Sequence, residues 1–123
     1  MVVGTGVPSV QCPIDPAGAN SKTVVWSVSA SVGNASKVWV ADLTFHIAGD
    51  MTVNDADLFV QGPGGSDLGS ATGSTNAETV NVSGKQPLGD YTVEVRGCSG
   101  AGNVAVTASG TVHWIPSDAE LLG

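Results

Sequence analysis

Hydrophobic and polar positions alternate along most of the chain with a period of two, which is typical of half-buried β-strands. In the stretch 23–32, Trp26 and Val28 fall on one face, and serines occupy most positions of the other. The same alternation returns in several later stretches. Together with a short stretch at Val7–Cys12 it predicts about seven strands, which cover residues 7–12, 23–32, 37–47, 55–61, 77–82, 91–97 and 103–114.

Turns rich in glycine and proline separate these strands, and a long loop is expected over residues 62–76. Short strands at regular spacing predict an all-β fold. We expect an antiparallel β-sandwich of the jelly-roll or Ig-like type, with Greek-key-like connections. Gly110 interrupts the last strand, which indicates a β-bulge or a close approach of another backbone at that position.

The alternation also predicts which aromatic side chains fill the core. Each of them shares a strand face with valine, leucine, isoleucine or alanine residues. The aromatic residues expected in the core are Trp26, Trp39, Phe45, Tyr91 and Trp114.

A chain of 123 residues has the size of one domain. We divide it into an N-terminal arm (1–20), the sandwich (21–115) and a C-terminal tail (116–123). The arm is rich in turn residues, and the tail is too short to hold a helix by itself. Leu121 and Leu122 are therefore expected to dock onto the domain or onto a partner.

The composition is acidic, and this narrows the choice of partners. The formal net charge is −7, and the 4 basic residues are scattered along the chain. No basic stripe is available for a phosphate backbone, so nucleic acid is not expected as a partner. No apolar run reaches the length of a membrane-spanning helix. The N-terminal segment has no basic region before an apolar stretch, so we expect no signal peptide.

The chain has 2 cysteines, Cys12 and Cys98, and each lies beside a turn signal. A disulfide between them would close most of the chain and stabilise the fold by roughly 4 kcal/mol through loop entropy. Such a bond implies an oxidising compartment. The alternative is a pair of free thiols, and the residues alone leave both open.

An acidic cluster precedes and enters the fourth predicted strand: Asp50, Asn54, Asp55 and Asp57. Hard oxygen ligands at close spacing are those that calcium prefers, although the EF-hand pattern is absent. In a strand, Asp55 and Asp57 share a face with Phe59, and two adjacent carboxylates repel unless a cation or proton intervenes. The alternative is a strand that begins only at Leu58, which leaves both aspartates in a solvated loop. No other cofactor is expected.

No pattern of a catalytic site is found in the sequence. The stretch GCSGA over residues 97–101 differs from the nucleophile elbow G-x-S-x-G at its last position and has no parallel α/β context. The aspartate pair has the residue types for acid–base work, but most aromatic residues that could form a substrate platform are expected in the core. We therefore expect that the chain is not an enzyme.

Two segments resemble the pre-peptidase C-terminal domain family. DADLFVQGPGG over residues 55–65 is similar to the family's D-x-D-L-x-V strand and its P-x-G turn, and PLGDYTVEVRG over 87–97 is similar to its G-x-Y-T-V-x-V strand. The resemblance covers roughly residues 36–112. It implies a non-catalytic, jelly-roll-like sandwich appended to secreted peptidases and other exported enzymes. Some relatives bind substrate polymers such as collagen, and some of those carry calcium.

These observations favour a non-catalytic structural or binding module with one of two roles. The first is a surface or decoration subunit of an oligomer or lattice, such as a viral capsid or tail, which the Met start and the glycine- and serine-rich sandwich favour. The second is a substrate-binding appendage of a secreted peptidase or other exported hydrolase, as the resemblance implies. The expected partner is a protein assembly or a surface polymer, and the expected location is the virion surface or the extracellular space.

Overall fold

The computed structural model describes residues 2–12, 21–30, 35–50, 53–100 and 102–116, with only the backbone described in the first strand and at some strand ends. These residues form eight strands and one turn of 3₁₀ helix at Pro63–Gly65. The strands are β1 (Val2–Cys12), β2 (Ser21–Val28), β3 (Ala35–Gly49), β4 (Val53–Gln61), β5 (Asp67–Ala71), β6 (Ala77–Val82), β7 (Gly89–Gly100) and β8 (Gly102–Pro116).

The strands form two four-stranded antiparallel sheets, with orders β1-β8-β3-β6 and β2-β7-β4-β5. β1 pairs with β8, β2 with β7, β3 with β6 and β4 with β5. The chain thus has the pairing of one long hairpin that is rolled into two layers. This is the strand order of a jelly roll. The prediction of an all-β antiparallel sandwich is confirmed, and its topology is of the jelly-roll type.

The strand bounds differ from the prediction in the first strand and in one loop. Residues 2–12 form one strand along the edge of a sheet, so β1 begins at Val2 and not at Val7. The loop expected over 62–76 contains β5, which brings the number of described strands to eight. Leu121 and Leu122 lie outside the described residues. No helix in the described part of the chain is long and apolar enough to cross a membrane.

Three aromatic side chains from both sheets meet in the middle of the sandwich. Trp26 packs edge-on against Phe45 with ring centroids 5.6 Å apart and lies 5.7 Å from Tyr91. The hydroxyl group of Tyr91 donates a hydrogen bond of 2.5 Å to the backbone oxygen of Pro87, so its polar end is satisfied at the edge of the core. All three rings are buried, as the alternation predicted.

Trp39 and Trp114 were expected in the core, and both expectations are wrong. The pairing of β3 with β8 shifts between Ala41 and Thr44, and Asp42 has a positive φ of 56°. This β-bulge reverses the alternation, so that Val40 points inward and Trp39 lies on the opposite face. Trp114 pairs with Val38 near the end of the sheet, where it remains 41% exposed.

Gly110 lies opposite the bulge, between the positions that pair with Ala41 and Thr44. A Cβ atom added there would lie 2.5 Å from Cδ2 of Leu43 and 2.9 Å from Cγ2 of Val40. Gly110 is thus a point of close approach, but the two nearest atoms belong to the side chains of Leu43 and Val40 rather than to another backbone, and the β-bulge lies in β3. The side chain of Leu43 fills the space that Gly110 leaves open.

Gly110→Ala is expected to destabilise the fold by about 1–3 kcal/mol, because the added methyl group would overpack a buried contact. Urea denaturation measures the loss. Gly84→Ala is the contrasting variant: Gly84 has nothing within 4 Å of its Cβ position, so any loss there reflects its positive φ and not packing. A Gly110→Ala protein as stable as the parent would show that β3 and β8 are not in close contact at the bulge.

Candidate functional site

The outer face of the β2-β7-β4-β5 sheet carries a varied set of polar side chains that line a groove. In β7 the inward positions are Tyr91, Val93 and Val95, which are fully buried, so the residues between them point outward. The outward residues of the four strands include Thr23, Phe59, Gln61, Asp67, Thr92, Glu94 and Arg96. We call this set the groove face.

The strand register places the groove-face residues in rows across the sheet. Thr23 pairs with Glu94, which in turn pairs with Phe59 on the next strand. In the neighbouring row, Gln61 lies between Thr92 and Asp67. The two rows line a groove of about 430 Å³. A groove of this size falls within the range of small-ligand sites in proteins.

Arg96, Glu94 and Phe59 form a compact unit on the groove face. The Nε and Nη2 atoms of Arg96 each lie 2.7 Å from Oε1 of Glu94. The guanidinium carbon is 4.0 Å from the centroid of the Phe59 ring, in cation–π geometry. The hydrogen bond to Glu94 raises the pKa of Arg96 above its ordinary value. These contacts hold the three side chains in one arrangement and balance the two charges.

Asp55 and Asp57 lie within β4, because the strand begins at Val53 and not at Leu58. Register shifts flank Asp55 in its pairing with β7, so the strand is irregular where the acidic residues occur. One carboxylate oxygen of each residue, Oδ1, is buried with no hydrogen-bond partner among the described residues. A buried carboxylate oxygen without a hydrogen-bond donor is unfavourable for folding, so these two atoms are a source of strain in β4.

The pKa of Asp57 is raised above its ordinary value of 3.8, first by desolvation and then by the negative charges of Asp55 and Glu78. Arg96 faces Asp57 in the strand register but directs its guanidinium group to Glu94. Glu78 lies on β6, in the other sheet, where Thr75 donates a hydrogen bond of 3.2 Å to its carboxylate. Glu78 could not be assigned to this site from sequence, because it is distant from the aspartates along the chain.

The other two members of the predicted calcium cluster have different surroundings. Oδ2 of Asp50 accepts a hydrogen bond of 3.0 Å from the backbone nitrogen of Asn103, which ties the β3–β4 connection to β8. Asn54 is exposed. Within the described residues, no group of three or more acidic, histidine or cysteine side chains is placed to hold a metal ion. Calcium binding stays a prediction.

If the acidic cluster binds calcium as the sequence predicts, calcium is expected to raise the midpoint of thermal unfolding, and Asp55→Ala is expected to abolish the rise. The measurement compares unfolding with calcium and with a chelator under non-reducing conditions. A ligand that binds only the folded state must raise the midpoint. An equal midpoint with calcium and with the chelator would contradict calcium binding by this cluster.

Asp57→Asn is expected to stabilise the protein at neutral pH. The folded state keeps the proton of Asp57 at pH values where the unfolded chain has released it, so stability falls as the pH rises from 3.8 through the raised pKa. Below 3.8 both states are protonated, and the advantage of asparagine should disappear. Urea denaturation between pH 3 and 7 gives the profile.

Asp42→Asn is the control for Asp57→Asn, because it makes the same change in net charge at an exposed position of the other sheet. An equal stabilisation by both variants would show that general charge repulsion is responsible, and not the surroundings of Asp57.

Cys98 is buried at the end of β7 and is disulfide-bonded. The backbone of Cys12 pairs with Gly102, the first residue of β8. The side chain of Cys12 lies outside the described part of the structure, so its pairing with Cys98 stays a prediction.

A second surface feature lies on the other sheet. The ring of Trp39 is stacked on His113 with centroids 5.5 Å apart, and Nζ of Lys85 lies 4.4 Å from the Trp39 centroid. Lys85 belongs to the β6–β7 connection, which is fixed by two backbone hydrogen bonds between Gln86 and Val40. The stack covers much of the tryptophan that the bulge turns outward.

Comparison with models of known protein families finds no match for this chain. Comparison with curated proteins finds no match either.

Proposed function

We propose that this jelly roll is a non-catalytic binding module that holds a surface polymer against the groove face. The observation that carries the proposal is the groove of about 430 Å³ across three strands and the edge of a fourth. The resemblance to the pre-peptidase C-terminal domain favours the same role, since some members of that family bind substrate polymers. The expected location is extracellular.

The contacts within the groove face support binding better than bond cleavage. Arg96 and Glu94 neutralise each other. The backbone nitrogen of Gly69 donates a hydrogen bond of 3.3 Å to Oδ1 of Asp67. Groups that are fixed by their neighbours are suited to orienting a ligand. Asp55 and Asp57 lie side by side on one strand, whereas glycoside hydrolysis uses two carboxyl groups that flank the scissile bond.

Retention of the purified chain by insoluble polymers tests the proposal. We expect that at least one of cellulose, chitin and collagen fibrils retains it, and that Phe59→Ala and Arg96→Ala weaken retention. Trp114→Ala is the control, because Trp114 is an exposed aromatic residue on the other sheet. Retention that only Trp114→Ala abolishes, or no retention by any polymer, would overturn a polymer-binding groove face.

A second candidate function is a surface or decoration subunit of a larger assembly, such as a viral capsid or tail. Val25 and Trp114 are large apolar side chains with exposed fractions of 54% and 41%, and exposed apolar residues can mark protein contacts. The jelly roll is found in capsid proteins and in lectins alike, so the fold does not separate the two roles.

Sedimentation velocity separates the two candidates. A subunit of a lattice should self-associate with increasing concentration, and Val25→Thr together with Trp114→Ser should abolish the association. A polymer-binding appendage should remain monomeric over the same range. Monomeric behaviour of the parent protein at high concentration would count against a lattice built from copies of this chain.

A further inference from the structure

We propose that the groove face binds a neutral, hydroxyl-rich ligand, namely a segment of an uncharged polysaccharide. This inference rests on the proposed function and names the chemical class of the polymer. Three properties of the groove lead to it: its charge balance, its neutral hydrogen-bonding groups and its aromatic floor.

The charges of the groove disfavour ionic ligands. Arg96 is paired with Glu94 at 2.7 Å, so an anionic ligand would have to compete with a bonded carboxylate for the guanidinium group. The carboxylates of Asp55 and Asp57 follow on the same strand, and they would repel a phosphate or sulfate group nearby. A lysine-rich ligand would find Glu94 already held by Arg96, which leaves the carboxylate of Asp67 at the edge of the described groove. An uncharged ligand neither has to break the Arg96–Glu94 pair nor is repelled by the aspartates.

The neutral groups of the groove match hydroxyl groups. Thr23 and Thr92 contribute hydroxyls, and Gln61 contributes an amide. Each of these side chains can both donate and accept a hydrogen bond, as every sugar hydroxyl can. Asp67 adds an acceptor at the edge of the groove. Thr92 and Gln61 are neighbours in one row and Thr23 lies in the other, so a ligand that spans the two rows can reach all three groups.

Phe59 and the guanidinium group stacked on its ring together form the floor of the groove. The ring of Phe59 is half-buried, and the guanidinium group of Arg96 lies over it at 4.0 Å. Pyranose rings have apolar C–H patches between their hydroxyls, and such patches pack on aromatic and guanidinium surfaces while the hydroxyls reach polar neighbours. An aromatic residue with polar groups on both sides is therefore the arrangement that an uncharged sugar ring requires.

The test is a titration of the ¹⁵N-labelled chain with soluble hexasaccharides, followed by NMR. The probes are cellohexaose, chitohexaose and maltohexaose, with hexalysine and a collagen-like peptide of Pro-Hyp-Gly repeats for comparison. We expect saturable shifts of the amide signals of Thr92, Glu94 and Arg96 with at least one hexasaccharide, and none with hexalysine.

Two matched pairs of variants locate the binding. Thr92→Val removes a groove hydroxyl and should weaken binding about fivefold, the effect of one hydrogen bond. Thr107→Val removes an exposed hydroxyl of the other sheet and should have no effect. Phe59→Leu should weaken binding because it removes the ring but keeps an apolar side chain, whereas Trp114→Ala should not. Thermal unfolding of each variant shows that it is folded.

The outcomes separate this inference from the proposed function. If only the collagen-like peptide shifts the amide signals of the groove, the proposed binding module stands, but the proposal of a polysaccharide ligand is wrong. Saturable saccharide binding that Thr92→Val and Phe59→Leu leave unchanged would overturn the groove as its site. No response to any soluble probe, together with no retention by the insoluble polymers, would overturn both.

Discussion

Phe45→Ala is expected to destabilise the protein by about 3–5 kcal/mol, the usual cost of truncating a buried phenylalanine. Phe45 is fully buried on β3, with Trp26 of the other sheet 5.6 Å away and Tyr91 6.0 Å away, centroid to centroid. The ring thus joins the two sheets, and its loss would leave a cavity that neither sheet can close alone. A domain of this size has a total stability of only about 5–15 kcal/mol.

Urea denaturation of Phe45→Ala measures the loss, and Phe59→Ala is the matched control. Both variants remove a phenylalanine from a strand, but Phe59 lies on the outer face and is only half-buried. We expect the control to lose clearly less stability. If the two variants lose the same amount, the aromatic contacts between the sheets do not form as described.

Loss of the disulfide at Cys98 is expected to cost about 2–5 kcal/mol, the range found when native disulfides are removed from small domains. Cys98 is buried and disulfide-bonded, so Cys98→Ala would remove both a covalent link and packing in the core. A bond to Cys12 would connect the edge strand of one sheet to the centre of the other. The unfolded chain would then be restrained over most of its length, which favours the folded state.

Stability with and without a reducing agent tests this prediction, together with Cys12→Ala. If Cys12 is the partner of Cys98, Cys12→Ala should be about as unstable as the reduced parent protein and insensitive to reduction. A peptide map under non-reducing conditions identifies the linked fragments. A Cys12→Ala protein that keeps the stability of the oxidised parent would contradict the pairing.

The sequence predicted the sandwich because strict alternation marks a strand with one buried face. In β7, Tyr91, Val93 and Val95 are buried as expected. The prediction failed at β3 because Asp42 adopts a positive φ and adds a bulge, and no pattern in the polar and apolar residues marks such a position. It also missed β5, whose residues Asp67–Ala71 include a single large apolar side chain.

The candidate site could be predicted only in part. The pairing of Asp55 with Asp57 followed from their spacing on a strand. Glu78 and the groove could not be foreseen, because they depend on which strands become neighbours. Glu94 and Phe59 face each other only because β4 and β7, far apart in the chain, are adjacent in the sheet. Local patterns specify strand faces but not the order of the strands.

The position of β8 between β1 and β3 has a consequence for folding during synthesis. Val2 pairs with Thr111, so one sheet cannot close until nearly the whole described chain has left the ribosome. Until then β1 and β3 each expose an edge that β8 will cover, and exposed edges favour aggregation. Pairing between such distant segments is also slow. The module should therefore complete its fold only once β8 is available, and it should be most prone to misassembly just before that strand emerges.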